Sequence, residues 1–469
     1  MKLIYDVDAT PKQMGIGNMI VFAIQQLLAI MAATLVVPVI VGHGMSPAAA
    51  LFGAGLGTLT YILFTRRKSP VFLGSSFAFL GSMAAAFAGG ISMTLGYLGL
   101  ILGAVFAGLV YVIIAIVVKL CGVAWISKLM PAVVIGPTVT IIGLSLAGNA
   151  VGDLQKGGYA VNGAPTANVL LCVLVGLVTL SVTMICSVYA KKKMIKLIPF
   201  IMGILAGYAV ALLFTVIGIV AEVDALRVID LGHFSNLLDS GKVAVTTFVA
   251  VPDFTFLTAF KGGYSYGEYG SMGKYLVTIL VAYCPVAFVV FAEHIADHKN
   301  LSTIIGRNLH EDPGLSRTLL GDGVGSMVGA IFGGCPNTTY GESVGCVAIT
   351  GNASVWSIIT AALGAVLISF FSPFVAFVNS IPACVMGGVC MALYGFIAVS
   401  GLKMIKDVDL EQNKNLFTVS VILIAGVGGL VLNFGSVTIT AIACALILGI
   451  LTNLLLARAK SEPEDSDAE

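Results

Sequence analysis

Four acidic side chains lie within long apolar runs of this sequence: Glu293, Asp297, Asp322 and Glu342. An ionised carboxylate in a bilayer costs at least about 2.5–3.5 kcal/mol, so each is a candidate for function. Glu293 and Asp297 are four residues apart and share a helix face, while His294 and His298 share the neighbouring one. Carboxylates accept hydrogen bonds from N–H groups and can carry a proton, which suits holding a polar solute and moving protons. Structural roles compete with these. Asp322 lies close to Arg317 and reads as its helix-terminal ion-pair partner. Asp297 and His298 fall at the end of their run and fit an interfacial position as well. For Glu293 and Glu342 the structural alternative is a hydrogen bond between helices. The His294/His298 spacing fits two metal ligands, but no third ligand converges on it, so no metal site is expected. The runs offer no nucleophile with an oriented base and no cofactor motif, so neither catalysis nor a cofactor is expected.

The elements that must position these groups are apolar throughout. Of 469 residues, 58% are hydrophobic and 10% charged, and mean hydropathy is +1.03. A soluble domain carries about 25% charged and 45–50% apolar residues. Soluble enzymes and nucleic-acid-binding proteins are thereby excluded, and an all-α polytopic protein of the lipid bilayer remains. The nine cysteines are scattered without a CxxC pair and read as small apolar packing residues. Gly53-Ala54-Gly55 and Gly323-Val324-Gly325 lack the strand-turn-helix setting of a phosphate loop and read as close helix packing.

Apolar segments fall near 16–41, 47–65, 71–89, 95–119, 124–147, 166–188, 197–220, 273–297, 315–334, 336–350, 354–379, 381–400, 416–433 and 437–457. At about 20 residues per span, these are fourteen transmembrane segments. Asp6 and Asp8 precede the first run without a cleavage site, so residues 1–15 read as a retained cytoplasmic tail. Nineteen of the 24 Lys and Arg residues then fall on the inner side; Lys156, Arg227, Lys242, Lys261 and Lys274 fall outside. Both termini are expected in the cytoplasm. Residues 16–220 form a first seven-span repeat, 221–272 an extracytoplasmic loop, 273–458 a second repeat and 459–469 an acidic cytoplasmic tail.

The two halves match. Met130-Pro131-Ala132-Val133-Val134-Ile135-Gly136 parallels Ile381-Pro382-Ala383-Cys384-Val385-Met386-Gly387. Upstream, Gly74-Ser75-Ser76-Phe77-Ala78-Phe79 parallels Asn337-Thr338-Thr339-Tyr340-Gly341-Glu342. Seven is an odd number of spans, so the second copy enters the membrane from the opposite side, giving inverted repeats. Segments 71–89 and 336–350 are short and polar at their start, and such paired interruptions point to a transporter's binding site.

The string Asn337-Thr338-Thr339-Tyr340-Gly341-Glu342-Ser343-Val344-Gly345-Cys346-Val347-Ala348-Ile349-Thr350-Gly351 resembles the signature of the nucleobase–ascorbate transporter family, most closely its bacterial uracil permeases. Ala292-Glu293-His294, the Gly74–Phe79 hexad, Gln25 and the Ala33-Thr34…Val37-Pro38 run resemble the family's other segments, and the likeness spans roughly residues 14–458. It implies a core domain of spans 1–4 and 8–11 and a gate domain of spans 5–7 and 12–14. Short antiparallel strands are implied in broken segments 3 and 10. It also implies a nucleobase held by the Glu293 and Glu342 carboxylates, with backbone contacts at Phe77 and Gly341 and with Tyr340 beside the site. Three positions depart from the family pattern. Asp297 stands where a histidine is usual, with His298 one further on. Gln25-Gln26 replaces a Gln-His pair, and Glu342-Ser343 a Glu-Asn pair. Glu293, Asp297 and His298 are therefore the proton-coupling candidates.

The chemistry suits a nucleobase independently. Uracil presents ring N–H donors, which carboxylates accept, and carbonyls, which backbone N–H groups at a helix N-terminus can serve. Phe77 and Tyr340 offer aromatic faces to the flat ring. The expectation is a proton-coupled uracil symporter of the bacterial inner membrane, with a homodimer suggested by the family. A xanthine or purine permease of the same family and an anion transporter of the same fold are the alternatives.

Overall fold

The computed structural model describes residues 3–122, 125, 131–161, 164–238, 243–406, 408–434 and 437–456. Each of the fourteen apolar segments contains a helix. These are α1 (Ile16–Val41), α2 (Pro47–Phe64), α3 (Leu80–Ala85), α4 (Met93–Cys121), α5 (Ala132–Ser145), α6 (Val169–Tyr189) and α7 (Pro199–Val220) in the first half. The second half holds α8 (Met272–Ile305), α9 (Leu315–Gly333), α10 (Gly341–Thr350), α11 (Val355–Ile368), α12 (Ala383–Met404), α13 (Asn413–Val427) and α14 (Ala441–Leu456). Among the described residues, eight helices are long and apolar enough to cross a membrane. The acidic tail lies outside the described residues, as does most of 123–130 at the start of segment 5.

Local sequence sets the helix ends. Ser46 caps α2 by accepting from the Ala49 N–H, with Pro47 at the first helical position. Asn168 caps α6 by accepting from the Leu170 N–H at 2.9 Å. Inside the helices, Thr34, Thr58, Thr138, Thr140, Thr179, Thr183 and Thr215 each donate to the carbonyl four residues back. In a medium without water this satisfies the hydroxyl within its own helix. Outward faces stay apolar: Leu170, Val188, Leu213 and Val220 are exposed on α6 and α7. Water would penalise these faces and lipid would not.

The helices pack as two sets. In one, α9 lies against α2 and α4, α8 against α4, and α11 against α1 and α2. In the other, α12 lies against α5 and α6, α6 against α7, and α13 against α5 and α14. Glycines permit the close crossings. A Cβ on Gly57 would sit 2.7 Å from the Gly325 carbonyl oxygen, and one on Gly325 would sit 2.8 Å from that of Gly57. Gly136 of α5 rests on Gly401 of α12 and on Ile405 just past its end, while Gly387 of α12 rests on Ala150 and Leu154. The Met130/Ile381 sequence match maps Gly136 to Gly387, Ala150 to Gly401 and Leu154 to Ile405, so the two contacts are one contact seen from both halves.

The N-terminal residues form a strap. The Ile4 N–H donates to the Gly351 carbonyl at 2.7 Å, and the Ala353 N–H to that of Tyr5 at 2.9 Å. Arg307, just beyond α8, pairs with Asp8 at 2.8 Å and also with Asp6. Residues 3–10 thus join the ends of α8 and α10.

Candidate functional site

The two interrupted segments meet at the centre of the first set. Strand β1 (Leu73–Ser75) and strand β2 (Asn337–Thr339) pair antiparallel, with Leu73 opposite Thr339, Gly74 opposite Thr338 and Ser75 opposite Asn337. A proline precedes each strand, Pro70 and Pro336, and the β-branched Thr338 and Thr339 favour extended backbone. The hexad match maps Gly74 to Asn337 and Ser75 to Thr338. Exchanging the halves therefore turns the Gly74–Thr338 pair into the Asn337–Ser75 pair, so the register is symmetric under that exchange. Each strand runs into a helical turn: Phe77–Phe79 and α3 after β1, and α10 after β2. Gly341 and Glu342 open α10, so their N–H groups have no partner within the helix.

Tyr340 locks the strands together. Its hydroxyl donates to the Ser75 carbonyl at 2.6 Å, and its ring lies where a Cβ on Gly74 would be. Ser343 adds a second lock: its hydroxyl accepts from the Phe72 N–H at 2.9 Å and from the Gln26 side-chain amide. Gln26 and Ser343 occupy two of the three positions that depart from the family pattern, and they are each other's partner. Gln25, the neighbouring residue, lies outside this contact.

A cavity of about 670 Å³ opens between the two helix sets. The first set contributes Phe77, Glu293, Asp297, Tyr340, Gly341 and Glu342. The second contributes Val139, Ile142, Phe200, Leu393, Phe396, Ile397, Ser400 and Lys403. The Thr339 hydroxyl lies 3.5 Å from Asp297 Oδ2, and Phe77 meets Tyr394 edge-on with ring centroids 6.0 Å apart. Three carboxylates, an open helix N-terminus and aromatic rings thus face one space. Such a surface can accept from N–H donors and supply N–H groups to carbonyls.

Two structural readings from the sequence are corrected. Helix α8 continues to Ile305, so Asp297 and His298 lie within it rather than at its end. His298 faces away from the cavity: its Nε2 lies 2.6 Å from the Tyr61 hydroxyl and its Nδ1 2.9 Å from the His294 carbonyl. Asp322 is 1% exposed and pairs with His294, Oδ2 to Nδ1, at 2.9 Å, rather than with Arg317. The Thr318 hydroxyl lies 3.0 Å from His294 Nε2. The two histidines therefore serve a buried polar network behind the carboxylates. Twenty-eight residues separate His294 from Asp322, and no spacing rule joins them.

The fold resembles the transmembrane domain of a cyanobacterium bicarbonate transporter, BicA, with a TM-score of 0.59 at 14% identity over 94% of this chain and 96% of that one. It also resembles SLC26A9, with a TM-score of 0.65 at 11% identity over 96% of this chain and 66% of that one. In sequence, the chain is 39% identical to a uracil permease of Bacillus caldolyticus, over 97% of this chain and 95% of that protein. It is 38% identical to a uracil permease of Bacillus subtilis (strain 168), over 96% and 94%. It is 33% identical to a uracil permease of Escherichia coli (strain K12), over 92% and 90%. The model of a family described as the Permease family matches residues 17–434. This is a multi-pass membrane protein, and the chain belongs to that permease family, the nucleobase–ascorbate transporters.

Proposed function

We propose that the protein is a proton-coupled uracil symporter of a bacterial inner membrane, working by alternating access. The observation that carries this reading is the convergence of Glu293 on α8 and Glu342 on α10 on one cavity with Phe77 and the α10 N-terminus. The Glu293 and Glu342 carboxylates accept from the uracil ring N–H groups. The backbone at Phe77 and Gly341 serves the carbonyls, and Phe77 and Tyr340 flank the ring. The substrate named for the relatives supports the same solute.

The fourteen segments span as two inverted seven-span repeats, 16–220 and 273–458, with both termini cytoplasmic. The symmetric strand register and the reciprocal glycine contacts support this arrangement. The first helix set is the core and the second the gate. Lys403, on the inner side by the positive-inside count, lines the cavity, which supports a cavity open toward the cytoplasm. Movement of the core against the gate would carry the solute across. Glu293 and Asp297 take the proton, since His298 is committed to Tyr61. One proton moved down the membrane potential supplies about 2.3 kcal/mol per 100 mV, enough to concentrate a neutral solute tens-fold. Three carboxylates in the cavity disfavour an anion as substrate. Two such chains form the homodimer.

Competition decides the substrate. Radiolabelled uracil uptake into proteoliposomes holding the purified chain should be blocked by excess unlabelled uracil and little affected by xanthine or sulfate. Stronger competition by xanthine would make this a purine carrier, and sulfate uptake without uracil competition would make it an anion carrier.

A further inference from the structure

We propose that the solute reaches its site from the outer side along the helix face that carries Ser145, Asn149 and Asp153. This rests on the alternating-access reading above and names the half of the path that the present cavity does not supply. Three contacts join α5 and the short helix Ala147–Asp153 that follows it to α12, at steps of seven residues on both sides. Gly136 meets Gly401, Gly143 meets Tyr394, and Ala150 meets Gly387. The Met130/Ile381 match makes Gly143 the counterpart of Tyr394. The middle contact therefore joins a position to its own equivalent, and the axis that exchanges the halves passes through it. A Cβ on Gly143 would sit 2.3 Å from the Tyr394 carbonyl oxygen.

The cavity extends to one side of this crossing. Beyond Tyr394, α12 lines it with Phe396, Ile397, Ser400, Lys403 and Met404. Leu393 and Ile142 are counterparts, and both line the cavity beside the crossing. The two halves share one architecture in opposite orientation, so the state open to the other side is the one in which they exchange conformations. Carrying the α12 lining through the sequence match gives its residues. Ser145 stands for Phe396, Leu146 for Ile397, Asn149 for Ser400, Gly152 for Lys403 and Asp153 for Met404.

The composition and exposure of that face agree. Ser145, Asn149 and Asp153 recur every four residues and share one side of an otherwise apolar segment. Ser145, Gly148 and Asn149 are exposed ahead of the buried Ala150, just as Phe396, Val399 and Ser400 are exposed ahead of the buried Gly401. An amide turned toward hydrocarbon is costly, whereas one on a water path is not. Asp153 holds Lys156 at 3.4 Å, which places an ion pair at the mouth. The hydroxyl and the amide offer both donors and acceptors, as a neutral ring with N–H and carbonyl groups requires.

Cysteine labelling during transport tests the path. Ser145→Cys, Asn149→Cys and Val151→Cys are made in the full chain, and a membrane-impermeant maleimide is added outside right-side-out vesicles as they take up uracil. The unsubstituted chain gives the background of the nine native cysteines. Val151 is exposed on the opposite side of the helix and controls for lipid-facing positions. Ser145→Cys and Asn149→Cys should react roughly tenfold faster than Val151→Cys or more, because the thiolate that reacts needs water. Their modification should abolish uptake. Ser145 lies two residues from Gly143, too deep for the reagent to reach without an aqueous path. Labelling no faster than Val151→Cys, in vesicles that still take up uracil, overturns the proposal. So does fast labelling that leaves uptake unchanged. Fast labelling of both variants in vesicles whose unsubstituted chain takes up no uracil keeps the path and overturns the uracil reading instead.

Discussion

His294 Nδ1 lies 2.9 Å from Asp322 Oδ2, with His294 0% and Asp322 1% exposed. The pair joins α8 to α9 directly behind the carboxylates that face the cavity. Removing one partner leaves the other buried without its bond, which costs about 1–3 kcal/mol or more. His294→Ala should therefore lower stability by at least that amount in thermal or denaturant unfolding of the detergent-solubilised protein. Arg317→Gln should change it by less than about 0.5 kcal/mol. Equal losses in the two variants would restore the Arg317–Asp322 pairing.

Glu342→Gln tests the binding role. The substitution keeps the size of the side chain and removes its charge. A hydrogen bond to a charged group is worth about 1.5–3 kcal/mol, so uracil affinity should fall roughly tenfold to over a hundredfold. Isothermal titration of the purified variant reads this directly. Unchanged thermal stability alongside the loss would separate binding from folding, and near-normal affinity would remove Glu342 from the site.

Gly74→Ala tests the Tyr340 lock. The new methyl would enter the Tyr340 ring and lie 2.9 Å from the Thr34 hydroxyl. Overpacking of a tight site costs about 1–3 kcal/mol. Uptake should fall because Tyr340 and the strands move together. Tyr340→Phe, which loses the hydroxyl's bonds but keeps the ring in place, should retain more activity than Gly74→Ala. Normal uptake in Gly74→Ala would show that the strands tolerate displacement.

Gly136→Ala and Gly387→Ala test the reciprocal contacts of α12 with α5 and with the short helix Ala147–Asp153 that follows it. A Cβ on Gly136 would lie 2.9 Å from the Gly401 carbonyl oxygen, and one on Gly387 would lie 2.9 Å from that of Ala150. Each variant should be destabilised by about 1–3 kcal/mol, and by similar amounts if the halves are equivalent. A large effect at one position and none at the other would argue against that equivalence.

Much of this architecture is legible in the sequence. The apolar runs at 197–220 and 315–334 became Pro199–Val220 and Leu315–Gly333, because an apolar run long enough to cross lipid has only a helix available to it. The two interruptions were visible as polar breaks, the strands within them were implied by the family resemblance, and the carboxylates stood out as charges that an apolar run does not carry without reason. What escaped depends on distance along the chain. The polar stretch Asp297–Lys299 ended the apolar run, yet α8 continues through it, because His298 finds Tyr61 and Asp297 lies beside Thr339. The Gln26–Ser343 contact joins residues more than 300 positions apart, and no periodicity links them. The N-terminal strap was invisible for the same reason: its backbone bonds use groups that any sequence supplies, and its Arg307 pairs with Asp6 and Asp8 join residues about 300 positions apart.

In the proposed symport a proton taken by Glu293 and Asp297 drives uracil inward, and Glu293 and Glu342 hold the ring. Its most direct test is uracil uptake into sodium-free proteoliposomes with an acidic exterior and a neutral lumen. The account predicts accumulation above the external concentration, collapse of that accumulation by a protonophore, and none in Glu342→Gln. Accumulation that requires sodium, or that persists after the protonophore, would contradict it.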